Sequence, residues 1–542
     1  MSGRKRDSLW AYFDKRIIPG KTGSRARCRN CGKDIQGLVS RMRQHHLLCR
    51  SNIDIPENMP RPESEFPPRM KDHSLINFVT TTTSSKKDLM DLQLARYIFS
   101  TNTPFAAVEH PEFVKFVQML LPGYRLPSRH QIGGTLLDHV YDQIHEDCRQ
   151  RLQDKTVSMM LDGWSNIHNE PVICVSVVTS DGENYLIDTV DTSGYSHTAE
   201  YLQSVALASA QLAEQRFGCK IGSLVTDNAA NMTKMRRIMM EDGNEIITYG
   251  CSAHYLNLLV KDVEVADVKG TIVTINKYFR NVHLPAAWYK SNGGKKLVLP
   301  IDVRWNTLSD CFQSYLDNWS IILRTCEEHR TDIDTEIFSK VQNISLKRRV
   351  EEYLMLIKPI AVALDKIQND STTISHAVEI WKELEQTYID NGCTNILGKV
   401  RIRAKQALTP FHLLANLIDP TCSGKSLSNV EIDIALSYCA QNYEYALPTL
   451  INFRAKADPF KQYMFAPNLL SKVSPIAWWE SNSYQLPSQV ISLCKKILGA
   501  VASTGGIERI FSTFGFLHSN VRNRLGIEKA VKLVSIYKLL NK

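Results

Sequence analysis

The sequence predicts an α+β multidomain protein. Three observations carry this. Cysteines and a histidine near the N-terminus have metal-ligand spacing. Short β-rich apolar runs cluster between residues 156 and 227. Long helical periodicities lie on either side of that cluster. At 542 residues the chain is long enough for two to four domains with a sizeable core.

Composition narrows the class. The 13 cysteines are an odd number spread along a long chain, which points to free thiols and a metal site instead of a disulfide framework. No apolar run reaches the length of a membrane span, and the start Met1-Ser-Gly-Arg-Lys-Arg lacks the apolar region of a secretory signal, so no membrane partner is expected. The net charge is +9, but residues 1–50 hold 13 Lys and Arg against 3 acidic residues. That imbalance favours a polyanion at the N-terminus. The cluster Arg4-Lys5-Arg6, with a polyanion as partner, points to the nucleus.

In chain order, residues 1–52 form the expected finger. Cys28 and Cys31 make a two-residue knuckle, and His45 and Cys49 stand at i, i+4 on a helix suggested by Leu38 to Leu48. A closed Cys3His site for Zn2+ follows. His46 is the rival ligand, and the i, i+4 spacing favours His45. With Leu9-Trp10-Ala11-Tyr12-Phe13 ahead of the first cysteine pair, the segment resembles a BED-type zinc finger. That resemblance implies binding to double-stranded DNA, with Arg25, Arg27, Arg29, Lys33, Arg41, Arg43 and Arg50 supplying phosphate contacts. Residues 53–87 are Pro-rich and then Thr/Ser-rich, the composition of a linker. Residues 88–152 predict helices, one striped by Leu89, Leu92, Leu94, Ala95, Ile98 and Phe99, the next by Phe113, Phe116, Val117, Leu120 and Leu121, and a third from about Ile132 to Leu152. These stripes are expected to be core in a DNA-contacting or assembly region.

The α/β core opens at 153. Val157 to Leu161 predicts a buried strand that delivers Asp162 into a turn at Gly163-Trp164. Ile221 to Thr226 predicts another, delivering Asp227 into Asn228-Ala-Ala-Asn231 at a helix entry. Between them come strands at Val172–Val178 and Tyr185–Val190, joined by a Ser180-Asp-Gly-Glu turn, and a helix from Thr198 to Phe217. Three meandering strands, a helix and a further strand are the order of an RNase H-like fold, which sets the first and fourth strands side by side. Each aspartate alone reads as a turn former or helix cap. Together they could flank a divalent cation, Mg2+ or Mn2+. Cys251 and His254 make only half a zinc site, so His254 is expected to support the site or touch phosphate while Cys251 packs.

Leu161-Asp162-Gly-Trp164, Thr226-Asp227-Asn-Ala-Ala-Asn-Met232, Cys251-Ser-Ala-His254-Tyr-Leu-Asn-Leu258 and Val303-Arg304-Trp305-Asn306 resemble successive blocks of the hAT superfamily of DNA transposases. Farther on, Pro475-Ile-Ala-Trp478-Trp479, Ile507-Glu508-Arg509-Ile-Phe511-Ser512 and Arg522-Asn-Arg524-Leu525 continue the likeness. The resemblance implies a catalytic core in two parts, 153–305 and the C-terminal region, separated by a helical insertion at 306–470. It implies a dimerisation region at 471–542, and hence a homo-oligomer. It also implies a third acidic residue, Glu508, which with Asp162 and Asp227 would hold two Mg2+ or Mn2+ ions for DNA strand cleavage and transfer. Arg304 and Trp305 would handle DNA near the site, Trp305 by stacking on an extruded base, although a core anchor at a helix start is the other reading of that tryptophan. Gly505-Gly506 depart from the small hydroxyl or Ala residues of the family and weaken a helix start. A domesticated DNA-binding regulator without transposition activity is the second reading, and a generic nuclease the third.

Overall fold

The structure is a computed structural model that describes residues 8–16, 25–36, 38–50, 84–165, 170–263, 266–301, 306–518 and 525–541. Most of the linker expected at 53–87, the Arg4-Lys5-Arg6 cluster, Arg304, Trp305, Arg522 and Arg524 lie outside the described residues. The chain divides into two compact units, Met1–Phe78 and Val79–Lys542. It is a mixed α+β, mostly helical protein, and no helix among the described residues is long and apolar enough to cross a membrane.

The small unit is a three-stranded antiparallel sheet, β1 (Phe13–Arg16), β2 (Arg25–Cys28) and β3 (Asp34–Gln36), followed by helix α1 (Val39–Arg50). Among the described residues its apolar centre is Phe13, Ala26, Cys28 and Met42 with Trp10, Ile35 and Cys49 against them. So small a core cannot hold such a fold without a staple.

In the large unit, helices α2 (Ser84–Ser100), α3 (Pro111–Leu120), α4 (Arg129–Ile132) and α5 (Thr135–Leu152) precede a five-stranded sheet. The first expected stripe is core at Ala95, Ile98 and Phe99, whereas Leu89 is exposed. The second stripe is corrected by the structure. No residue of α3 is fully buried, and Phe116, Met119 and Leu120 are exposed. Periodicity marked an apolar face there without showing that anything covers it.

The sheet runs β6-β5-β4-β7-β8, from β4 (Thr156–Ser165), β5 (Pro171–Val178), β6 (Asn184–Asp191), β7 (Lys220–Thr226) and β8 (Ile247–Gly250). The first three strands form an antiparallel meander, and β7 and β8 add in parallel. β5 and β7 are almost wholly buried, as strands covered on both faces must be. Helix α6 (Ala199–Phe217) crosses from β6 to β7. Thr198 caps its start through Tyr201 N, and Gly218 in the left-handed region (φ 65°) ends it. Helices α7 (Ala230–Glu241) and α8 (Ser252–Val263) follow β7 and β8.

Beyond residue 306 all the elements among the described residues are helical. One helix, Ile344–Ile367, runs unbroken through Pro359. Leu354 and Ile357 ahead of the proline belong to an apolar cluster that starts at Val268, while Ile360, Ala363, Leu364 and Ile367 belong to the cluster of the sheet. Pro359 thus stands where the helix passes between cores, and the helix continues through it. The apolar residues of the C-terminal region are spent within the chain. Trp478 and Trp479 are buried among Phe453, Phe460 and Phe465, and the last helix, Ile527–Leu540, buries Ala530, Leu533, Val534 and Ile536 in the main core.

Candidate active site

The register sets the first two carboxylates side by side. Leu161 of β4 pairs with Thr226, the last residue of parallel β7, so Asp162 and Asp227 are the residues that follow that rung on two adjacent chains of the sheet. Three rungs before Leu161–Thr226 the pair is locked by a buried bond from Ser223 Oγ to Ser158 Oγ, 2.9 Å. Asp162 itself is not in a turn, as expected, but inside β4. Antiparallel β5 carries the ladder on past the end of β7, pairing Asp162 with Cys174 and Trp164 with Val172.

That extension has a purpose. Residues i and i+2 of a strand share a face, so Asp162 and Trp164 point the same way. Trp164 stacks on Phe511 (ring centroids 5.6 Å apart) and meets Phe514 (5.4 Å) on the helix Gly505–Leu517. Glu508 lies three residues before Phe511, in the first turn of that helix. The tryptophan therefore sets the helix that carries Glu508 on the strand that carries Asp162. Burial, then the charge of Asp227 and then that of Glu508, push the Asp162 carboxyl up to about 7, against one lowering contact from the Gly163 N–H.

The lead-in to this helix is tied to the strand ends. Tyr249 OH donates to Val501 O at 2.8 Å and Ser252 N donates to Ala502 O at 3.0 Å. Thr504 N and Thr504 Oγ1 approach Cys251 Sγ at 3.4 and 3.5 Å. Cys251 thus packs, as expected. The glycines that weaken this helix start have a steric reason: a methyl on Gly506 would stand 2.3 Å from Asn184 Nδ2, 2.6 Å from Asp370 Oδ1 and 2.8 Å from Met160 Cε. The helix comes this close to the sheet only with no side chain there. Arg509 pairs with Asp370 at 2.6 Å, and Gln368 Nε2 reaches Glu508 Oε2 at 3.4 Å.

His254 lies half-buried on α8. Burial lowers its pKa, and the charge of Asp227 only partly offsets this, so the ring is neutral at pH 7. Arg236 was not anticipated. It is buried on α7 and donates through Nη1 to Thr226 Oγ1 (2.5 Å) and Asp227 O (2.6 Å), and through Nη2 to Asn228 Oδ1 (3.3 Å) and Thr233 Oγ1 (3.1 Å). A buried guanidinium thus fixes the backbone that carries Asp227. Asp227 Oδ1 in turn accepts from Ala229 N at 3.1 Å.

In the small unit, Cys28, Cys31, His45 and Cys49 bring their ligand atoms within 4.8 Å of one another. His45 Nε2 meets Cys31 Sγ at 3.1 Å, whereas His46 stacks on Tyr12 with ring centroids 4.3 Å apart. Gly32 in the left-handed region (φ 73°) lets Cys28 O accept from Gly32 N, which closes the knuckle. Asn30 Nδ2 points to Cys49 Sγ at 3.3 Å. Three thiols and an imidazole converging in this way fit a tetrahedral zinc ion.

Residues 127–278 match a family described as a domain of unknown function, DUF659, a domain found in hAT-type transposases. The likeness is to hAT-like transposases. Two Zea mays proteins, named AC transposase and AC9 transposase, are each 25% identical over 230 residues, covering 38% of this chain and 28% and 27% of theirs. A Talaromyces stipitatus protein named transcriptional regulator tpeD is 26% identical over 187 residues, covering 32% of this chain and 22% of its own. The matches thus span about a quarter of the length of these curated relatives. The hAT-like stretch holds the sheet and, with it, Asp162 and Asp227.

One test of the cluster needs no substrate. Because the folded carboxyl of Asp162 holds its proton up to about pH 7 and the unfolded one only to about pH 4, the folded state binds more protons between the two. Stability then falls as pH rises through that window. The thermal midpoint of chelator-treated protein should drop between pH 5 and 8, and Asp162→Asn should remove that part of the drop. Mg2+ should restore the midpoint at pH 8 in the parent alone. An unchanged pH slope in the variant would count against a shared proton.

Proposed function

We propose that this chain is a hAT-like DNA transposase with an RNase H-like catalytic core and a DNA-binding zinc finger, at work in the nucleus. One observation carries the reading: Asp162 and Asp227 follow paired residues of adjacent strands, and the helix that carries Glu508 packs through Phe511 and Phe514 on Trp164 of the same strand as Asp162. A constellation of like charges costs stability and is a mark of a functional site.

The donor set fits a hard divalent cation, for it is all carboxylate oxygen, and an ion there would relieve the repulsion. Asp162, Asp227 and Glu508 would hold Mg2+ or Mn2+, whose chemistry is to acidify an attacking water or hydroxyl and to neutralise the leaving oxygen. The residues themselves hold positions. Arg236 stiffens the turn under Asp227, Trp164 sets the Glu508 helix, and His254, neutral at pH 7, offers a hydrogen bond beside Asp227. In the finger, Arg25, Arg27, Arg29, Lys33, Arg41 and Arg43 belong to the same small unit as the Cys3His cluster and suit a phosphate backbone. Arg304 and Trp305 are proposed to contact DNA near the carboxylates, and Arg50 to join the finger's phosphate contacts. Pairing of subunits belongs to the proposal as well, through what the core leaves outside in the C-terminal region, such as Tyr484 and Phe516. The likeness to a transcriptional regulator supports a second reading, in which the chain binds DNA without cutting it.

The deciding experiment is cleavage of a duplex that carries the ends of the genomic element encoding this chain. Mg2+-dependent nicking by the parent, lost in Glu508→Gln, is the expected result. Tight binding with no cutting by either protein would favour the regulator.

A further inference from the structure

A second group of metal-ligating side chains lies away from both sites. His376 opens the helix Ile374–Asp390, and Asp419 and Cys422 sit in the turn after the helix Pro410–Ile418. Their ligand atoms all lie within 4.8 Å of one another. Asp419 is 0% exposed and Cys422 7%.

Asp419 is buried among neutral hydrogen-bond donors. Its carboxylate accepts from Ser375 Oγ (2.6 Å), Thr421 Oγ1 (2.6 Å) and Thr421 N (2.9 Å). Among the described residues no lysine or arginine forms an ion pair with it. A fully buried charge supported by neutral donors alone is expensive. His376 is held in place by Thr373 Oγ1 against its Nδ1 at 2.9 Å, the kind of outer support that orients ligating imidazoles. Glu379, one turn after His376, stands near Cys422, and its Oε1 accepts from Asn416 Nδ2 and Ser426 Oγ, both at 2.6 Å.

We propose that His376, Asp419 and Cys422 form an interior transition-metal site, distinct from the finger and from the carboxylate trio, that takes Zn2+. One nitrogen, one oxygen and one sulfur suit a borderline-soft ion and disfavour Mg2+ or Ca2+. The site braces the approach to Glu508. Thr373 forms a bridge with Val501, flanked by Ile374 N to Ala500 O and Ala502 N to Thr372 O, both 2.9 Å. His376 grips the same threonine.

The test uses the full chain with Cys28→Ser and Cys49→Ser, so that the finger cannot retain metal. After loading with Zn2+ and removal of excess, this variant should keep about one zinc per chain, and the parent about two. Loading with Co2+ should give the visible and thiolate charge-transfer bands of a tetrahedral site in the finger variant. Adding His376→Gln or Cys422→Ala should abolish both readouts. A finger variant that binds no zinc overturns the site without reference to any interior substitution. Zinc that survives the added substitutions is bound elsewhere and overturns it equally.

Discussion

Asp227→Asn will abolish strand cleavage while leaving the fold intact or slightly firmer. Asparagine keeps the shape and can still accept from Ala229 N, so the turn braced by Arg236 persists. It removes the charge nearest in effect to Asp162, after burial, and so lowers the proton affinity of that carboxyl. Mutation of residues that merely support a metal ligand typically costs about 10–100-fold, so loss of a ligand should cost at least about 100-fold. The check is a single-turnover cleavage assay beside a melting curve at pH 8. Loss of activity together with a lower midpoint would mean that Asp227 acts structurally. Cutting at the parental rate would remove the metal hypothesis.

Stripping zinc from the finger should have an equally large effect, on binding instead of chemistry. Structural zinc contributes about 10–16 kcal/mol in isolated fingers at neutral pH, and the apolar centre here is too small to replace it. Chelation, or Cys49→Ser, should unfold β1 to α1 and lower affinity for duplex DNA, with a shallower dependence on salt as phosphate contacts are lost. His46→Ala should keep the metal and lose only the stack on Tyr12. If His46→Ala lost the metal while His45→Ala kept it, the ligand assignment would be reversed.

Much of the sheet was legible because β-rich apolar runs of strand length announce buried strands, and the turn at Ser180-Asp-Gly-Glu and the cap at Thr198 punctuate them. The Cys3His cluster was legible from spacing alone. β8 was missed because Ile247-Thr-Tyr-Gly250 is too short to show a period. The continuation of β4 through Asp162 was missed because Gly163 reads locally as a turn, and only pairing with β5 overrides that preference. Glu508 could be reached only through family likeness, since nothing local distinguishes it from a solvated helix residue. Arg236 gave one faint signal, an arginine on the inner face of a helix striped by Met232, Met235 and Met239. The apolar face of α3 shows the opposite failure, a clear period that burial does not follow.

The helix Ile344–Ile367 belongs to two apolar clusters, one on each side of Pro359. Such a shared strut divides the molecule's fluctuations. The cluster from Val268 to Ile357 can open and close by fraying one end of a helix whose other end is anchored under the sheet. Amides on the two sides of the proline should then exchange with solvent on different clocks. Mutational drift or heat damage in the outer cluster would be absorbed there, before it reached the strand ends that hold the carboxylates.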